Sequence, residues 1–127
     1  MQKYRVPLVL SAAFALFGCS ASPESTVELF HNAIVKGDIS GAKSYLSNQV
    51  IQMLGDGAVS ATLSEGTEEI KKCGGLESVK SDLTGEGEAR SGTVTLHYKG
   101  SECKPAVRKV RLVKEDGRWK IEPRGSM

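Results

Sequence analysis

The stretch Ala106-Val107-Arg108-Lys109-Val110-Arg111-Leu112-Val113-Lys114-Glu115-Asp116-Gly117-Arg118-Trp119-Lys120-Ile121 decides the fold. Val110 and Leu112 alternate with Lys109 and Arg111, which is the period of a strand with one buried face. Asp116-Gly117 is a dipeptide favoured in a two-residue hairpin loop, where both positions need a positive φ. Trp119 and Ile121 then face inward on a returning strand.

Working upstream, Thr93-Val94-Thr95-Leu96-His97-Tyr98 alternates as cleanly, with Val94, Leu96 and Tyr98 inward. A loop from Gly100 to Pro105 follows it and carries Cys103. Ala89-Arg90-Ser91-Gly92 reads as a turn. Gly85-Glu86-Gly87-Glu88 is also turn chemistry, without the strand-to-helix context that a phosphate loop requires. Leu76 to Glu86 reads as a polar strand, which makes four strands in an antiparallel meander.

Before Gly74-Gly75 the period changes to that of helices. Ser22-Pro23-Glu24 supplies an N-cap, a proline at the first helical position and an acid in the first turn. Val27, Phe30 and Ile34 share one face, and Gly37 ends the helix. Asp38 caps a second helix striped by Ile39, Ala42, Tyr45 and Leu46. Ser47 caps a third through Val50, Ile51 and Leu54. Gly55-Asp56-Gly57 breaks the run, residues 58–66 fit no clear period, and Thr67 to Lys72 reads as a short helix. Helices first and strands second imply an α+β fold, with the helices packed on one face of the sheet.

The N-terminus reads as an address. Met1 to Arg5 is short and positive, Val6 to Phe17 is mostly apolar, and the run is too short to span a bilayer. Leu16-Phe17-Gly18-Cys19 resembles a bacterial lipobox. The resemblance implies cleavage before Cys19, lipid on its sulfur, and a membrane held through that lipid. Cleavage after Ala13-Phe14-Ala15 is the alternative, and it leaves Cys19 as an unexplained thiol. Ser20, where an aspartate would favour inner-membrane retention, points to the outer membrane. The expected organisation is a signal peptide over 1–18, a lipidated tether over 19–22, one domain over 23–122 and a flexible tail over 123–127.

With Cys19 lipidated, Cys73 and Cys103 remain as an even pair in an oxidising compartment, and a structural disulfide is the economical reading. Two distant thiols and two scattered histidines do not make a metal site. No cofactor is called for.

Without the leader the chain carries 15 basic and 15 acidic side chains, so nothing calls for nucleic acid. The charge is nevertheless split. Residues 22–90 are net −5 and residues 91–127 net +5. Arg108, Lys109 and Arg111, with Lys114 and Lys120, could form a face for an anionic glycan or an acidic envelope protein. Two oppositely charged halves resting against each other and water explain the split as well.

Ser22-Pro23-Glu24, Gly37-Asp38, Tyr45-Leu46 and Lys114 to Ile121, in that order and spacing, resemble small nuclear-transport-factor-like lipoproteins of unknown function. The resemblance spans roughly residues 22–122. It implies a cone, with a curved antiparallel four-stranded sheet wrapped over helices and a pocket at the wide end. That fold serves enzymes, carriers and inert modules alike, so it does not choose a function. His31, Tyr45 and Tyr98 are the residues expected at such a pocket, while His97 has the parity of Thr93 and Thr95 and faces away. No catalytic constellation is visible. The leading expectation is a non-enzymatic binding or assembly module of the cell envelope. A small-ligand carrier or enzyme using the cone, and a surface lipoprotein contacting a host molecule, are the alternatives.

Overall fold

A computed structural model of the chain describes residues 21–123. Among the described residues four helices precede four strands: α1 (Pro23–Lys36), α2 (Ile39–Lys43), α3 (Asn48–Leu54), α4 (Asp56–Lys72), β1 (Leu76–Thr84), β2 (Ala89–Tyr98), β3 (Ala106–Glu115) and β4 (Arg118–Pro123). The strands form one antiparallel sheet in the order β1-β2-β3-β4. The helices cover one of its faces. Cys19, the expected lipidation position, and the tail beyond 123 lie outside the described residues.

Local chemistry sets the helix ends. The Ser22 hydroxyl accepts from the Ser25 N–H at 3.0 Å, and Gly37 closes α1 at φ 76°. The Asp38 carboxylate accepts from the Gly41 N–H at 3.0 Å, and the Ser47 hydroxyl from the Val50 N–H at 3.2 Å. Each acceptor satisfies one of the amide donors that a helix start leaves free.

The second helix is shorter than its stripe suggests. It ends at Lys43, Ser44 and Tyr45 form a turn, and Leu46 is a bridge residue. The Ile121 N–H donates to the Tyr45 carbonyl at 2.8 Å, and the Ser47 N–H donates to the Ile121 carbonyl at 3.0 Å. Leu46 thereby bridges in parallel to Ile121 and covers an otherwise open edge of β4.

The unassigned region 58–66 belongs to α4. Only Gly55 leaves helical geometry, at φ 91° and ψ 141°, and the helix then runs for 17 residues through Gly57 and Gly66. Val59, Leu63, Thr67 and Ile70 make its buried stripe. The Thr67 hydroxyl donates to the Ile34 carbonyl at 2.7 Å, which joins α4 to α1.

The expected turn at 89–92 is strand. The turn lies earlier, where Gly85 and Gly87 take φ of 130° and 70°. Gly92 sits mid-strand because a Cβ there would run into the Asp82 carbonyl oxygen of β1. Asp116 and Gly117 take φ of 53° and 78°, the positive pair that the two-residue loop demands.

The core joins both layers. Val27, Phe30 and Ile34 of α1 meet Val94 and Leu96 of β2, Val110 and Leu112 of β3, and Trp119 and Ile121 of β4. Arg90 and Lys114 flank the Trp119 ring at 5.0 and 5.5 Å from its centroid. Cys73, which caps α4, is bonded to Cys103 in the β2–β3 loop, with Cα atoms 5.6 Å apart. Beside that bond, the Gly100 N–H donates to the Cys73 carbonyl at 2.8 Å. Closing a loop of this length contributes roughly 3–4 kcal/mol on the loop-entropy estimate.

Candidate functional site

Helices and sheet do not close on each other everywhere. α4 packs on α1, α2 and α3. Between α4 and the sheet lies a cavity of about 740 Å³. Small-molecule sites typically measure about 300–1,000 Å³.

The floor is apolar. β2, β3 and β4 contribute Val94, Val110 and Ile121, while α1 contributes Val27, Phe30 and Ile34. Val59 and Leu63 of α4 form the facing wall. Val50 and Leu54 of α3 reach the rim, and Leu54 stays 60% exposed there. No residue of α3 is buried, so this helix borders the cavity with apolar side chains open to water.

The polar groups sit at the sides of the cavity. His31 enters from α1, Arg108 from β3, and Glu65, Glu69 and Lys72 from α4. His31 Nδ1 lies 2.9 Å from the Val27 carbonyl oxygen. A carbonyl can only accept, so Nδ1 carries the proton and the neutral ring keeps Nε2 as an acceptor. The His31 pKa is lowered. Burial is the largest cause, the bond to Val27 opposes it, and the Arg108 charge lowers it further.

Of the three pocket residues expected from sequence, the structure brings only His31 to the cavity. Tyr45 and Tyr98 are half-buried and pack on the core away from the cavity lining. Tyr45 is displaced because its segment left the helix to pair with β4. Tyr98 lies at the end of β2, next to the loop that holds Cys103. His97 pairs with Ser78 across β1 and β2, on the parity opposite to Leu96.

The basic residues of β3 do not form one face. Arg108 has the parity of Val110 and Leu112, whereas Lys109 and Arg111 have the opposite parity; Arg108 and Lys109 both border the cavity, and Arg111 does not. The Arg111 guanidinium pairs with Glu122 at 2.9 Å. Lys114 stands over Trp119, and the Lys120 ammonium donates to the Ser44 carbonyl at 2.6 Å. Three of the five basic residues considered from sequence are thus engaged within the domain.

Glu65, Glu69 and Lys72 were missed from the sequence. Their spacing of three and four places them along one line of α4, but that line is legible only once residues 58–66 are known to be helical.

A solved structure matches this architecture: a Campylobacter jejuni protein provisionally described as an NTF2-like transpeptidase. The TM-score is 0.66 at 18% identity, covering 80% of this chain and 97% of that one. The fold is NTF2-like. At that identity the likeness carries the fold and no activity. Neither a family model nor a curated relative matches the sequence. Among the described residues, no group of His, Cys, Asp and Glu is arranged to hold a metal ion, and no helix is long and apolar enough to cross a membrane.

Proposed function

We propose that this chain is a lipid-anchored protein of the bacterial cell envelope whose NTF2-like cone takes up a small apolar or amphiphilic molecule and acts by binding it. The observation that carries the reading is the cavity itself. It combines about 740 Å³ of space, an apolar floor and a few polar groups at its sides.

Binding without covalent chemistry is favoured by the surroundings of His31. Its Nδ1 proton goes to a backbone carbonyl rather than to a carboxylate. An imidazolium formed there would lie among apolar side chains and close enough to Arg108 to be repelled by it. A general base needs the opposite arrangement. Cys73 and Cys103 are joined to each other and offer no thiol nucleophile.

The anchor rests on the apolar leader and on Leu16-Phe17-Gly18-Cys19. Two or three acyl chains on Cys19 would hold the protein durably, since each buried methylene contributes about 0.8 kcal/mol. Only Ser20 to Ser22 separate that cysteine from α1. Three extended residues reach about 10 Å. The tether therefore keeps the first turn of α1 beside the bilayer. Ser20 favours the outer membrane over the inner.

The test has two parts. Radiolabelled palmitate should follow the protein, and Cys19→Ser should release it from membranes; label that fails to follow it would remove the anchor. A neutral naphthylamine dye, fluorescent only in apolar surroundings, should bind in a saturable way and be excluded by Val50→Trp at the rim. Dye uptake that Val50→Trp leaves unchanged would remove the cavity reading.

A further inference from the structure

The two halves of opposite charge meet at the cavity mouth. α4 supplies Glu65, Glu68 and Glu69 there against one base, Lys72, while β3 supplies Arg108 and Lys109 with no acid. Glu68 is engaged with Lys71 at 3.6 Å. Among the described residues, Glu65, Glu69 and Arg108 are in no ion pair. All three are exposed. The acidic helix and the basic strand thus border one opening with no ion pair across it among the described residues, over a floor with no charged side chain.

We propose that the cavity binds a single-chain zwitterionic amphiphile, its acyl chain on the apolar floor, its anionic group at Arg108 and its ammonium group at Glu65 and Glu69. This rests on the cavity reading above and adds the head group to it. A purely anionic amphiphile would leave the two carboxylates facing its charge, and a cationic one would face Arg108. A zwitterion satisfies both sides at once. The guanidinium suits phosphate, because its planar fork presents paired N–H donors. An ammonium suits two carboxylates four residues apart on one helix face. His31 Nε2 remains an acceptor in the same cavity and suits a free hydroxyl of a glycerol head.

The chemistry occurs both in free lysophospholipid and in the head groups of a bilayer. The recessed apolar floor favours the free single-chain form, because a flat bilayer surface would leave the floor unfilled.

The experiment uses the full chain carrying Cys19→Ser, so that no anchor lipid competes. Bound naphthylamine dye is displaced by dodecyl-chain lysolipids below their micelle concentrations. Lysophosphatidylethanolamine should displace at concentrations about fivefold lower than lysophosphatidylglycerol or dodecyltrimethylammonium, the size expected of an exposed ion pair. Glu65→Lys with Glu69→Lys should turn the preference toward the anionic lysolipid. Arg108→Glu should turn it toward the cation. All three reversals together should restore preference for the zwitterion, with its head reversed. These positions are exposed, so the variants should fold, and retained dye binding checks that they have.

If the dye binds but every amphiphile displaces it equally, and the reversals change nothing, the head-group proposal is overturned while the cavity reading stands. If the dye does not bind at all, both fall. If the chain instead sediments with phosphatidylethanolamine vesicles and ignores free lysolipid, the bilayer surface is the partner and the proposal is overturned.

Discussion

His31 on α1 and Arg108 on β3 line one cavity, and the guanidinium adds its charge to burial in holding the imidazole below its ordinary pKa. Because folding lowers this pKa, the unfolded chain takes up the proton first as pH falls. The group's contribution is therefore full above the ordinary value of 6.5 and is lost as pH falls from there through the folded value. Urea midpoints should drop between pH 7.5 and 5.5, and His31→Gln should flatten that drop. An equal drop in the variant would mean that carboxylates elsewhere cause it.

Arg108→Met should raise the His31 titration midpoint without carrying it past the ordinary histidine value, since burial is the larger cause. Nitrogen-15 shifts of the ring would follow the titration. They should also show the proton on Nδ1, fixed there by the Val27 carbonyl.

The disulfide ties the end of α4, one wall of the cavity, to the β2–β3 loop. Reduction, or Cys73→Ser with Cys103→Ser, should cost roughly 3–4 kcal/mol in urea unfolding. Naphthylamine dye binding should weaken together with stability. Loss of stability with dye affinity intact would separate the bond from the site.

Gly92→Ala should destabilise by about 1–3 kcal/mol, because the new methyl group meets backbone of β1 rather than a side chain that can swing aside. Thr67→Val should cost less, about 1 kcal/mol. It removes the hydroxyl bond to Ile34, but that carbonyl still accepts from the Gly37 N–H at 3.0 Å. Chemical denaturation of both variants checks the ranking.

Much of the sheet was legible because its determinants are local. Alternation at Val94, Leu96, Val110 and Leu112, and the Asp116-Gly117 loop, each follow from a few neighbouring residues. The misreadings share a cause that is not local. Gly92 looks like a turn residue until Asp82 lies against it. Gly57 and Gly66 look like breakers until Val59, Leu63 and Ile70 are buried by tertiary packing, which overrides propensity. Tyr45 and Leu46 keep helical spacing, yet the Tyr45 carbonyl and the Ser47 N–H on either side of Leu46 bond to Ile121 at the open edge of β4. The candidate site inherits these gaps. His31 was found from the first helix's stripe and Arg108 from the charge of β3. Glu65 was hidden in the stretch where no period showed, Glu69 sat in a short helix with nothing to mark it, and only the fold brings their helix and β3 to one opening.

Methyl NMR of the valines and leucines during titration with the naphthylamine dye tests the cavity most directly. The methyl groups of Val94, Val110 and Leu63 should shift together and saturate, while Val107, exposed on the other face of β3, stays still. Shifts centred on Val107, or none at the three cavity positions under saturating dye, would contradict a binding role for the cone.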